Sequence, residues 1–466
     1  MERVKLTDRY KLPARASFYY IMSTVVGKAA GVLVTPIFTR IMDTAEFGAY
    51  SYYISILGVV SLISSFFLSP TVIYSGLGKF KGEKITFENS AVLLTSLISM
   101  AICIVLFTFN GVFGIKRSFA VYLFLQIIFD SIVTAELLAG KFSYDYTKVV
   151  TINLLSSFLS PLLSLFLIFR FEMGAEGRIF GLLIASGILA VTMLIRRARE
   201  GMRPSKVHAL YLLKNSTPLI PSIIARATMG WSDKLVVKSY LGIEELAKYS
   251  VAHTVGMALF GLIGGLSSAM NPWMIRKLSS GKRGEIFPVV KKVSELISFG
   301  AAIIIGLAPE LFSFLAPASY ITALPVIIPF AISTLPYFLF SVASVLLTYS
   351  EKTKFVSFSA ALGAIFNLSL NMLLISTLGT VGGALSYLIS EIAVYLISLR
   401  LIGRLDASAK EPMKHSFPFI FVFSIAPVFF LLYDSLALRL LLLIIPATLA
   451  VNRGFACLEL VREKNT

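Results

Sequence analysis

The sequence predicts an all-α integral membrane protein of about 14 transmembrane helices, arranged as two pseudo-repeated six-helix bundles and a C-terminal helix pair. Three observations predict it. Hydrophobic residues make up 57% of the 466 and charged residues only 14%, against roughly 25% charged in soluble proteins. Apolar runs long enough to cross a bilayer follow one another along the whole chain. The context of a lone cation in the first run also recurs in the seventh, which implies two copies of one unit.

The runs fall at 14–41, 46–76, 87–111, 118–140, 147–170, 174–196, 212–242, 246–274, 287–314, 322–349, 355–377, 381–402, 415–433 and 435–453. The basic start leads into a first run without a small-residue cleavage site, so that helix is expected to stay in the membrane. The junctions near Thr377 and Tyr433 are so short that their flanking helices are expected to be antiparallel. Basic loops at 196–214 and 400–415 divide the runs into six, six and two. The expected boundaries are 1–208, 209–404 and 405–466. No connection is long enough for a domain outside the membrane.

The formal net charge is +17, yet the basic residues are scattered through short loops, as cytoplasmic loops require because positive charge resists translocation. The charge is topological, both termini are expected in the cytoplasm, and no nucleic-acid partner is implied. Two cysteines and three histidines, all far apart, suggest neither a disulfide framework nor a metal site, and no cofactor is expected.

Lys28 in the first run and Arg226 in the seventh are the unusual residues. Arg226 follows Lys214 by about 12 residues, roughly 18 Å of helix, which is near mid-membrane. An ionised group there is costly unless it faces protein or water. One constant shift lays Lys28 on Arg226 and Arg40 on Lys238; one residue more lays Glu46, Tyr50 and Ser51 on Glu245, Tyr249 and Ser250. Each cation is either a structural charge met by a carboxylate or a ligand contact.

Polar residues form helical stripes. They comprise Ser17, Thr24, Lys28, Gly31 and Thr35; Gln126, Asp130 and Thr134; Asn153, Ser157, Ser160 and Ser164; Ser222, Arg226, Gly230 and Asp233; and Ser359, Gly363, Asn367 and Asn371. One such stripe is a packing seam. Five, two of them with a cation, point to a hydrated cavity. Asp130 and Glu391 are expected near mid-depth, either pairing with Lys28 or Arg226 or binding a coupling H+ or Na+. Glu136 and Asp233 are expected nearer the interfaces, in reach of water, and His253 in a hydrogen-bonded packing role. Zinc-protease, P-loop and nucleophile-elbow motifs are missing, so the chain is not expected to be an enzyme.

The stretches TRIMDTAEFGAYSYYISI, WSDKLVVKSYLGIEELAKYSVA, LAPELFSFLAPASYITALPVI and NLSLNMLLISTLGTVGGALSYLIS resemble the polysaccharide and O-antigen flippase family of the multidrug, oligosaccharidyl-lipid and polysaccharide exporter superfamily. The last meets the family's Asn-x-x-x-Asn and Gly-x-x-Gly pattern with Asn367, Asn371, Gly379, Gly382 and Ala384, but Ser376 replaces the usual proline and Gly383 the usual first alanine. The resemblance implies a V-shaped pair of bundles that moves an undecaprenyl-diphosphate-linked oligosaccharide between leaflets of the bacterial inner membrane, for O-antigen, capsule or exopolysaccharide. The polymerase and chain-length machinery of that pathway are its implied partners. Lys28 and Arg226 then hold the diphosphate, as point charge and bidentate fork respectively, with Asn367 and Asn371 as further substrate contacts. Rival readings are a multidrug exporter of the same superfamily, which calls for an acidic cavity, and a membrane glycosyltransferase or polymerase, which calls for a long outer loop or a metal motif. A scaffold role in an envelope assembly leaves the inward cations without purpose.

Overall fold

The computed structural model describes residues 19–462 except 21, 24–25, 28, 81, 109–116, 200–202, 218–219 and 406–415. Among the described residues every regular element is a helix: α1 (Ala29–Ile41), α2 (Thr44–Ser64), α3 (Pro70–Lys79), α4 (Lys84–Thr108), α5 (Arg117–Phe142), α6 (Tyr146–Phe171), α7 (Gly174–Arg199), α8 (Lys206–Ser216) and α9 (Ile220–Leu241). There follow α10 (Ile243–Gly256), α11 (Ala258–Ser279), α12 (Ile286–Gly306), α13 (Ala308–Leu315), α14 (Ile327–Tyr349), α15 (Thr353–Leu378), α16 (Thr380–Leu405), α17 (Phe417–Leu431) and α18 (Leu436–Arg462). Short 3-10 segments at Ser65–Leu68, Arg283–Glu285 and Ala318–Val326 join some of them.

Nine helices among the described residues are long and apolar enough to cross a membrane, and up to 11 if each bent pair counts as one span. The bends, 44° between α10 and α11 and 61° between α12 and α13, fall inside predicted runs. The shorter apolar α1 and α17 and the charge-bearing α9 occupy the remaining predicted runs. The seventh run is divided: Lys206–Ser216 makes its own helix and α9 begins only at Ile220. Pro221 stands in the first turn of α9, where its missing N–H costs no intrahelical hydrogen bond. Arg226 therefore lies about 9 Å along α9, shallower than the 18 Å read from an unbroken run.

The chain divides into two compact units, residues 1–227 and 228–466, with the division inside α9. In the first, a capping box opens α2: the Glu46 N–H donates to Asp43 Oδ1 at 2.6 Å, and the Asp43 N–H donates to Glu46 Oε2 at 3.3 Å. Gly174, at φ +48°, opens α7 beneath that carboxylate; a Cβ there would sit 1.9 Å from Glu46 Oε1. This conformation and this approach both require glycine. The apolar core gathers Phe66, Phe67, Ile73, Phe87, Leu138 and Leu212, so α8 is fastened to α3 and α4 by its Leu212 face.

In the second unit, α14 is the central helix, with Phe330, Ala331, Phe338 and Ala343 at 0% exposure. α17 and α18 both pack on α12. The last helix is pinned twice: Arg439 pairs with Glu310, and about 14 residues or ~21 Å further on, Arg453 Nε lies 2.5 Å from Glu295 Oε2. Lipid offers apolar side chains no refuge from water that protein does not also offer, so close packing and such polar ties hold a bundle of this kind together.

Candidate functional site

Lys28 lies outside the described residues. Arg226 is exposed, and no hydrogen bond or ion pair joins it to another described residue. Neither Asp130 nor Glu391 pairs with it. Gln126 Nε2 donates to Asp130 Oδ1 at 2.9 Å and to Ser186 Oγ at 2.7 Å, tying α5 to α7. Glu391, 4% exposed, is hydrogen-bonded by Tyr387, one turn earlier on α16. These two carboxylates thus stand on hydroxyl and amide donors, with no ion-pair partner among the described residues.

Glu136 and Asp233 do not reach water; each is only 2% exposed. Glu136 is the hub of a buried ion cluster in the first unit. Arg197, 1% exposed, donates from Nη2 to Glu88 Oε2 at 2.7 Å and to Glu136 Oε2 at 2.8 Å, and from Nη1 to Asn89 Oδ1 at 2.9 Å. Lys148 and Arg196 also pair with Glu136. One cluster so binds α4, α5, α6 and α7. Glu88 and Arg197 were not singled out in the sequence because each lies at the end of a run, where a charge reads as a solvated loop residue.

Asp233 sits in a second buried cluster, in the second unit. Tyr249 Oη donates to Asp233 Oδ2 at 2.5 Å, and the Lys234 N–H donates to Oδ1 at 2.8 Å. Lys234 is 9% exposed, with its ammonium 4.8 Å from the Trp231 ring centroid. His253 stands edge-on to Phe330 at 4.8 Å, a ring contact, and no side-chain hydrogen bond joins it to another described residue. Gly383 explains its own departure from the family pattern: a Cβ there would meet Tyr249 Oη at 2.9 Å, where the hydroxyl is already held by Asp233.

Asn367 and Asn371 are fully buried at 0%. Asn371 Nδ2 donates to Asn367 Oδ1 and to Ser232 Oγ, both at 3.1 Å, and Ser232 Oγ donates to Asn367 Oδ1 at 3.2 Å. In this structure they join α15 to α9 and offer no surface to a ligand, so the eleventh stripe is a packing seam. The expectation of a hydrated face fails there because the two amides are closed in against Ser232, which leaves Asn367 Nδ2 and Asn371 Oδ1 without a hydrogen-bond partner among the described residues. The fourth-run stripe is also partly internal, with Gln126 only 1% exposed. Asn153 Nδ2 donates to Ser23 Oγ at 3.1 Å, which ties the fifth-run stripe to the first run at a residue outside that run's own stripe.

Residues 14–277 match a family model described as polysaccharide biosynthesis protein. No curated protein sequence matches. Among solved structures, an inward closed lipid II flippase MurJ superposes with a TM-score of 0.68 at 16% identity, covering 95% of this chain and 98% of that one. An inward-facing multidrug resistance MATE family transporter of the MOP superfamily gives 0.65 at 13% identity, covering 86% and 99%. A MOP superfamily transporter from Pyrococcus furiosus, whose binding pocket is described as of reverse polarity, gives 0.61 at 15%, covering 86% and 97%. At these identities the likeness is one of fold: an all-α membrane architecture with about 14 helices.

Proposed function

Because the chain belongs to the polysaccharide biosynthesis protein family, we propose that it is a flippase that moves an undecaprenyl-diphosphate-linked oligosaccharide across the bacterial inner membrane. The product would serve O-antigen, capsule or exopolysaccharide synthesis, with the polymerase and chain-length machinery of that pathway downstream. The observation that carries this reading is Arg226, an exposed cation on α9 that no described carboxylate neutralises. A diphosphate cannot cross hydrocarbon without such a counter-charge. Arginine presents two parallel N–H groups to phosphate oxygens, and Lys28, at the matching place in the sequence repeat, adds a point charge.

Alternating exposure of the site to the two faces follows the general logic of repeat-built transporters. Asp130, Glu391 and Asp233 are the groups proposed to couple the cycle to H+ or Na+. The first two support that role because hydroxyl or amide donors, and no described cation, hold them.

The test follows leaflet exchange of a defined undecaprenyl-diphosphate oligosaccharide in inverted vesicles for the parent, Lys28→Ala and Arg226→Ala. Both variants are expected to insert normally and to lose most of the exchange. Full exchange in both sinks the clamp. Export of cationic drugs without exchange of the lipid would instead favour the multidrug reading that the MATE-like fold brings with it.

A further inference from the structure

We propose that the outward face of α8 is a docking surface for anionic phospholipid headgroups of the surrounding bilayer. The inference goes beyond the proposed function: it needs the membrane fold and is indifferent to what the chain transports.

α8 has 11 residues, so it is about 16 Å long, roughly half of what the ~30 Å hydrocarbon core requires of a spanning helix. It lies instead against the turn between two candidate spans, Thr44–Lys79 and Lys84–Thr108. The Ser205 N–H donates to Ser90 Oγ at 3.0 Å, and His208 Nε2 lies 3.0 Å from Glu83 Oε2. The Tyr211 ring stands edge-on to Phe80 at 5.3 Å, and Leu212 enters the apolar core of the unit. A turn between two spans is at a membrane surface, and α8 is fastened there by one side only.

The two sides of α8 differ. His208, Leu212 and Ser216, four residues apart, are buried. At about 100° per residue, Leu213, Lys206, Leu210, Lys214 and Val207 fall within an arc of about 120° on the opposite side. All five are exposed, Val207 at 64%, Leu210 at 56% and Leu213 at 40%. A connecting helix bathed in water presents a polar outer face. Three large apolar side chains interleaved with lysines make instead the pattern of a helix that lies in a lipid interface, where the apolar groups enter the acyl boundary and the lysines reach up to the headgroups.

Charge complementarity names the lipid. Exposed Arg203 precedes the helix and Lys206 and Lys214 stand at its two ends. Exposed Lys79 adds a fourth cation, its ammonium 5.1 Å from the Tyr211 ring centroid. None of the four is in an ion pair with a described carboxylate. Glu83, the carboxylate recorded against α8, faces His208 on the packed side. A face that is apolar and positive, with its counter-charge behind it, matches a surface that is apolar and negative. Each cation held near such a surface strengthens association roughly fivefold.

The test places a fluorophore on that face. Leu210→Cys is made in a Cys103→Ser, Cys457→Ser background, since the chain has two cysteines. The full-length labelled protein is reconstituted into vesicles of phosphatidylcholine, alone or mixed with phosphatidylglycerol, that carry a quencher at headgroup depth. Quenching is expected to be stronger with phosphatidylglycerol and to weaken in about 1 M salt, where the screening length falls to about 3 Å. A label at Asn215→Cys, on the flank of the helix, is expected to be quenched less. Lys206→Gln and Lys214→Gln should each weaken docking roughly fivefold, whereas Lys206→Arg and Lys214→Arg retain it. Elution of every variant as a single species in gel filtration shows that the fold is intact. Equal quenching with and without phosphatidylglycerol, or equal quenching in the parent and the doubly neutralised variant, overturns the assignment. A label unquenched in every vesicle leaves the face to a protein partner or a second copy and equally overturns it.

Discussion

Replacing Arg197 by methionine breaks the buried ion cluster of the first unit at its centre. The guanidinium is 1% exposed and reaches Glu88, Glu136 and Asn89 together. Glu136 keeps Lys148 and Arg196 after the change, but Glu88, 2% exposed, loses its sole ion pair among the described residues. Removing one partner of a buried pair costs about 3–5 kcal/mol, because the remaining charge is left in a low-dielectric surrounding. Stability is read from denaturant unfolding of the detergent-purified protein. The second arm adds Glu88→Gln, which removes the stranded charge. That double variant is expected to recover about 2 kcal/mol of the loss, since a buried pair taken away whole leaves nothing uncompensated. A single variant within about 0.5 kcal/mol of the parent, or a double variant no better than the single, would refute the view that this cluster fastens α4 to α7.

Arg439→Met strands Glu310 and should loosen α18, and Arg453→Met should do the same through Glu295; the two losses should add within about 0.5 kcal/mol, because the pairs are far apart. Asn371→Ala leaves Asn367 and Ser232 short of a partner and is expected to cost about 1–3 kcal/mol in unfolding, with affinity for lipid-linked saccharide unchanged; a loss of affinity at full stability would restore Asn371 as a substrate contact. Gly383→Ala pushes a methyl group against Tyr249 Oη and should cost about 1–3 kcal/mol. The same change made in a Tyr249→Phe background, where that oxygen is gone, should cost much less.

Helices and their order were legible from the sequence because hydrocarbon leaves the chain little choice. Among the described residues, each apolar run of spanning length is helical over most of its length. The seventh run was taken as one helix, whereas α8 ends at Ser216 and α9 starts at Ile220, so Arg226 is about 9 Å along its own helix. The polar residues were less legible, because periodicity gives the face of a helix and not what that face meets. Asn367 and Asn371 share a face as expected, and that face meets Ser232 on α9. Glu136 lay close to a predicted end and read as solvated; the cations that bury it come from two other helices, α6 and α7. The capping box of Asp43 and Glu46 is fully local, its two partners three residues apart.

The most direct test of the account is whether the purified chain alone, reconstituted into sealed vesicles, exposes an undecaprenyl-diphosphate oligosaccharide on the opposite leaflet to an enzyme or lectin that cannot enter. The account predicts exposure that depends on the protein and collapses in Arg226→Ala. Equal exposure in protein-free vesicles, or undiminished exposure in that variant, contradicts it.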